Sequence, residues 1–175
     1  MGAELTDTTD GNPPSLLSLN RIERLLSERL DPETVAAIVD ICQSLVKSHP
    51  EAIAMILFGS VARREERPVD DPEPSDVDLL LLLDPTTYTP VASRLTREQE
   101  LALHHTIGMA DYRHRAPREI KVLFVYCDLE RWDSLFIENV ARDGILLWSR
   151  ASLPTPFAPI AERAAHDLVE SQAAE

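Results

Sequence analysis

Two short stretches carry side chains whose types and spacing suit one kind of chemistry. Ile56-Leu57-Phe58 runs into Gly59-Ser60, and after a spacer at residues 61–75 comes Asp76-Val77-Asp78 at the head of a leucine run. Where a buried strand ends in glycine and serine and a helix opens, outward-pointing N–H groups favour an anion, and glycine lets a phosphate come close. Strand alternation puts Asp76 and Asp78 on one face of the next strand. Two carboxylates about 6 Å apart repel by roughly 2–3 kcal/mol at an effective dielectric near 20. A cation between them removes that cost, and Mg²⁺ favours a few carboxylates completed by phosphate and water. A phosphate cradle beside such a pair is what metal-assisted phosphoryl or nucleotidyl transfer requires.

The surrounding pattern supplies elements to position these groups. Residues 16–30 read as a first helix, with Ile22, Leu25, Leu26 and Leu30 on one stripe. Asp31-Pro32-Glu33 has the chemistry of a helix start: a capping carboxylate, then proline at the first helical position. The helix that follows carries Val35, Ile38, Cys42, Leu45 and Val46, and His49-Pro50 ends it. Residues 53–58, 77–83 and 120–126 are apolar runs of strand length, and residues 145–148 make a short fourth. Short helices are expected over 61–67 and after a capping Asp128, and a longer one over 96–110. Residues 68–75, with three prolines and three acids, read as an exposed loop. The sum is a small α/β (α+β) domain: a twisted mixed sheet of about four strands with helices packed on it. Residues 1–14 are expected to be a disordered leader, 15–149 the domain with its N-terminal helices, and 150–175 a proline-rich linker and a tail helix.

Composition removes several alternatives. The chain has 175 residues, with 30 acidic against 17 basic side chains and a net charge of −13. Long nucleic acid and anionic membranes both need a basic footprint, so the charge argues against either as a partner. The longest leucine run, residues 79–83, is far short of the roughly 20 residues that span a bilayer. Residues 1–14 lack the basic and apolar blocks of a secretory signal. Cys42 and Cys127 stand far apart in apolar contexts, so a reducing cytoplasm is the expected location.

The stretch over residues 56–84 resembles the signature of the DNA polymerase β-like nucleotidyltransferases, in their minimal nucleotidyltransferase (MNT) branch. The matching residues are Ile56-Leu57-Phe58, Gly59-Ser60, Ala62-Arg63, Ser75 and Asp76-Val77-Asp78. Residues 136–148 (FIENVARDGILLW) resemble the closing helix and strand of the branch, so that about residues 35–149 are covered. The resemblance implies a twisted mixed sheet with helices against one face. It implies that Asp76 and Asp78 bind two Mg²⁺ ions, that Gly59 and Ser60 hold the outer phosphates of ATP, and that Arg63 adds positive charge. An acceptor hydroxyl would then attack the α-phosphorus and pyrophosphate would leave. The acceptor it suggests is a partner protein, helical and toxin-like as in MNT-type toxin–antitoxin pairs, or else a small molecule.

The sequence departs from the branch pattern twice. The spacer at 61–75 is longer than the usual one of about ten residues by a Pro-Asp-Glu-rich loop, an insertion a loop absorbs cheaply. The third carboxylate, the expected base for the acceptor, is missing: Lys121 stands where it is looked for, and Glu119, on the same face by alternation, is the substitute candidate. A catalytically weak module that binds a partner protein or nucleotide is therefore the alternative reading. Plain structural roles suffice for the rest. Arg64 and Arg67 read as a solvated helix face, Trp132, Trp148 and Cys42 as packing residues, and His104-His105 point too far apart on a helix to chelate one ion.

Overall fold

The computed structural model describes residues 19–84, 112–115, 117–126 and 129–173. The expected helix over 96–110, with His104-His105, and the capping role of Asp128 lie outside these residues. Two helices open the fold, α1 (Leu19–Ser27) and α2 (Pro32–Ser48). The carboxylate of Asp31 caps α2, accepting from the Thr34 amide at 2.9 Å and from its hydroxyl at 2.7 Å. The chain continues through β1 (Ala52–Phe58), the single turn α3 (Gly59–Arg63) and β2 (Val77–Leu83). After β3 (Tyr112–His114) and β4 (Ile120–Tyr126) come α4 (Ser134–Asp143), β5 (Ile145–Ser149) and α5 (Ala158–Ala173).

Among the described residues the sheet has five strands in the order β3-β4-β2-β1-β5. Of these pairs β2 and β4 run parallel and the others antiparallel. The strand missing from the sequence-based expectation is β3, three mostly exposed residues at the sheet edge. It has no buried face, so it leaves no alternation to read.

Alternation divides the core between the two faces of the sheet. Met55, Leu57, Val77, Leu79, Leu81 and Val122 pack with α1 and α2. Ala54, Ile56, Leu80, Leu82 and Val125 pack with Ile137 and Val140 of α4 and with Ile160 and Ala164 of α5. Helices therefore cover both faces, not the one face implied by resemblance, because both sides of the central strands are apolar. A register shift between β1 and β5 pairs Met55 with Trp148 and Ile56 with Leu146. The extra residue lets both Leu147 and Trp148 join the α1–α2 side of the core.

Two local expectations are corrected, over 61–67 and in the proline-rich stretch, and the cap of α4 is now identified. The helix expected over 61–67 begins at Gly59 and stops at Arg63, because Arg64 turns left-handed (φ 59°, ψ 38°). The helix before β5 is capped by Asp133, whose side chain accepts from the Phe136 amide at 2.9 Å. The proline-rich stretch expected as a linker forms a tight turn, Thr155–Phe157, and Phe157 is fully buried in the core beneath α5. No helix among the described residues is long and apolar enough to cross a membrane.

Candidate active site

Odd and even residues of β2 face opposite sides, so Asp78 points to the α4–α5 side, at the end of the sheet where β1 leaves and β2 and β4 enter. Asp78 lies opposite Phe58 on β1 and opposite Lys121 on β4. Immediately after Phe58 the backbone turns at Gly59 with φ +77°. A β-carbon there would sit 2.5 Å from Oδ2 of Asp78. Glycine is needed for both reasons: the left-handed conformation, and the carboxylate packed against its Cα.

Asp76 precedes β2 by one residue and stands beside Asp78. Lys121 Nζ donates to Oδ2 of Asp76 at 2.5 Å. Burial pushes the Asp78 carboxyl above the ordinary range; Lys121 pulls it down, Asp76 pushes it up, and Arg63 and Glu119 act more weakly in opposite directions. The bond it donates to Asp76 raises the Lys121 ammonium above its usual value against the opposing effect of burial, and the charges of Asp76, Glu119 and Asp78 add to the rise. Glu119 lies just before β4, accepts from Arg113 Nη1 at 3.4 Å, and is electrostatically coupled to both Asp78 and Lys121. The sequence-derived residues Gly59, Asp76, Asp78 and Glu119 thus meet in one cluster, with Ser60 on the adjoining turn. The cluster contains a lysine as well as carboxylates.

Arg63 closes α3 and stands at the rim. Its Nε bonds Glu65 at 2.7 Å and its Nη1 lies 4.0 Å from Asp143 at the end of α4. Arg142 holds the same Asp143 through two bonds, 2.9 and 2.7 Å, which keep that carboxyl below the usual range. Gly144 then caps α4 just before β5 with no room for a side chain: a β-carbon would meet the Val140 carbonyl at 2.5 Å. The Asp-Gly phrase after α4 is therefore a packing device that brings the helix end up to Arg63.

A residue that sequence reasoning missed holds the spacer. Arg118 is almost wholly buried, and its Nη1 donates to the carbonyls of Arg67 (2.7 Å) and Ser75 (2.9 Å). Its Nε lies 3.6 Å from the Asp31 carboxylate that caps α2. The Ser75 hydroxyl accepts from the Arg67 amide at 2.8 Å. The loop is thereby pinched shut at its base, and residues 68–74 project outward with little burial. Nothing in a lone arginine beside Pro117 signals this role, since its partners lie 43 and 51 residues away.

Asp76 and Asp78 supply the hard oxygen donors that magnesium prefers, with positions left for phosphate and water, so the pair fits such an ion. Among the described residues no group of three or more His, Cys, Asp or Glu side chains is arranged to hold a metal.

The family model "Polymerase beta, Nucleotidyltransferase" matches residues 41–153, and the chain belongs to this family of polymerase β-like nucleotidyltransferases. The match spans β1, the Gly-Ser turn, β2, β4, α4 and β5, the elements that build the site. Among solved structures, a toxin–antitoxin with AMP-PNP is similar at 16% identity over 90% of this chain and 94% of that one, with a TM-score of 0.33. A mutant of the toxin–antitoxin MntA-HpeT is similar at 18% identity over 77% and 90% of the two chains, with a TM-score of 0.35. No curated protein matches the chain.

Proposed function

We propose that this chain is a nucleotidyltransferase of the minimal branch that moves AMP from ATP onto a hydroxyl of a partner protein. The observation that supports the reading most is the packing of Asp78 Oδ2 against Gly59, with Asp76 beside it. The phosphate-approach turn and the carboxylate pair, 16 residues apart at their nearest, share one surface. Asp76 and Asp78 are the residues that would hold Mg²⁺, which when bound neutralises phosphate charge and polarises the α-phosphorus. Gly59 and Ser60 hold the outer phosphates through N–H groups and the hydroxyl; the one-turn α3 is too short to add a summed helix dipole. Arg63 supplies positive charge at the rim. Glu119 receives the proton of the acceptor hydroxyl as its oxygen bonds the α-phosphorus and the bond to the pyrophosphate leaving group breaks. The acidity of the chain favours a protein or cationic small-molecule acceptor over a nucleic acid, and a helical, toxin-like partner is the acceptor that the sequence resemblance suggests.

Lys121 favours a second reading. A lysine bonded to Asp76, where a further carboxylate would assist the acceptor, suits a module that binds nucleotide or a partner and transfers poorly.

Thermal unfolding with ATP, GTP, CTP and UTP, each with and without Mg²⁺, tests the first reading. A ligand at 100 times its Kd adds about 2.7 kcal/mol, a rise of roughly 5–10 °C in a chain of this size. The expected result is a Mg²⁺-dependent rise with ATP that both Asp76→Asn and Asp78→Asn abolish. No rise with any nucleotide refutes it; a rise without pyrophosphate release in the presence of acceptor leaves the binding module.

A further inference from the structure

The lysine in the acidic cluster has a consequence for the metal. Asp76, Asp78 and Glu119 converge at the sheet end; Arg113 pairs with Glu119, Arg63 stands at the rim, and Lys121, from the neighbouring parallel strand, is the cation bonded to the aspartate pair. The Lys121 ammonium is bonded to Asp76 Oδ2 at 2.5 Å and is one residue pair across from Asp78. Its side chain is one-quarter exposed, so it lies at the mouth of the cluster on a four-carbon stem free to swing. Arg63 does not take this place: it is turned to Glu65 and Asp143.

A divalent ion seated between Asp76 and Asp78 would share the carboxylate whose Oδ2 the ammonium already bonds. Two cations so close repel strongly, the more so in a half-buried setting. We propose that Lys121 is a tethered counter-cation that competes with the divalent ion for Asp76, so that metal enters only as the ammonium is displaced. Lys121 thereby weakens the free protein's affinity for metal and keeps the carboxylate pair neutralised when no metal is bound. The inference rests on the proposed reading in one respect, that Asp76 and Asp78 are the pair that takes the metal.

The test uses metal alone, without nucleotide. Mn²⁺ is titrated into the full chain and followed by electron paramagnetic resonance, and Mg²⁺ by calorimetry, for wild type, Lys121→Met and Lys121→Arg. The expected result is affinity on the order of tenfold or more tighter for Lys121→Met, from loss of a unit like charge beside the ion. Lys121→Arg retains the charge and stays weak. In metal-free buffer Lys121→Met melts below wild type, and saturating Mg²⁺ raises it by more than it raises wild type. Equal or weaker metal affinity in a folded Lys121→Met overturns the proposal, as does the absence of metal binding in both proteins. Should Lys121→Met fail to fold even with Mg²⁺, Lys121→Gln, which keeps a polar contact to Asp76, undergoes the same titration with the same two outcomes. The nucleotide-dependent thermal shift of wild type is a separate readout: it persists if only this inference fails, and it is absent if the proposed function fails.

Discussion

Replacing Gly59 with alanine tests whether the turn and the carboxylate are built against each other. The substitution meets two obstacles. An alanine at φ +77° is in the left-handed region, which costs an L-residue about 1–2 kcal/mol. Its β-carbon would also lie 2.5 Å from Asp78 Oδ2, so the carboxylate must retreat by roughly 1 Å to reach ordinary contact. Overpacking of this kind costs about 1–3 kcal/mol. Together these predict a loss of about 2–5 kcal/mol, or roughly 4–20 °C in Tm. The two contributions are separable. Asp78→Ala removes the oxygen and leaves only its β-carbon, 3.4 Å from the new one, an ordinary contact. The double variant Gly59→Ala/Asp78→Ala is therefore expected to keep the backbone strain and lose the clash. Urea denaturation of the four proteins in a double-mutant cycle is expected to give a coupling of about 1–3 kcal/mol. A coupling below about 0.5 kcal/mol, or a single Gly59→Ala variant as stable as wild type, refutes the argument that Asp78 is packed on the turn.

Two further predictions concern the frame around the site. Arg118→Met leaves the carbonyls of Arg67 and Ser75 without their buried donor and is expected to cost about 2–4 kcal/mol in urea denaturation, with faster proteolytic cutting within residues 68–74. Arg118→Lys recovers only part, because one ammonium does not reproduce the guanidinium fork; stability within about 0.5 kcal/mol of wild type in the Met variant would remove the clamp from the account. Asp31→Ala is expected to cost about 1 kcal/mol at neutral pH through loss of the α2 cap. Burial alone would raise the Asp31 carboxyl, but the bonds from Thr34 outweigh it and its folded pKa is lowered, with Arg118 assisting. A lowered carboxylate stabilises above its unfolded pKa of about 4 and loses that contribution as pH falls through the folded value. The stabilities of wild type and Asp31→Ala are therefore expected to converge in denaturation series below about pH 4, and a gap that stays constant with pH would show that the charge of Asp31 plays no part.

The parts of this protein legible in its sequence are those whose cause is local. The run Ala52–Phe58 is apolar at every position and stops at a glycine, and it is a central strand. Asp31-Pro32 reads as a cap because its hydrogen bonds go to a residue three positions on. Asp76 and Asp78 share a face because alternation leaves no other choice within one extended segment. By contrast, β3 is too short and exposed to carry a period, and the cap of α4, Asp133, shows itself only through its bond to the Phe136 amide. Phe157 sits among prolines that suggest a tether, yet its burial depends on a pocket assembled from distant strands.

The same division runs through the site. Glycine, serine and two aspartates at their spacing sufficed to suggest the chemistry proposed here, since strand period and turn geometry act within a few residues. Which cation meets Asp76 did not follow from that pattern. Lys121 reaches it across 45 residues of chain because β4 pairs in parallel with β2 in the register that sets Lys121 opposite Asp78. A shift of that pairing by one residue would turn Lys121 to the other side of the sheet. Arg118 likewise joins the α2 cap to both ends of the loop at 68–74 only once three separate segments have met. The kinds of groups available were set by the sequence through local geometry; their partners, and so the balance of charge at the carboxylate pair, were decided by long-range strand register and packing.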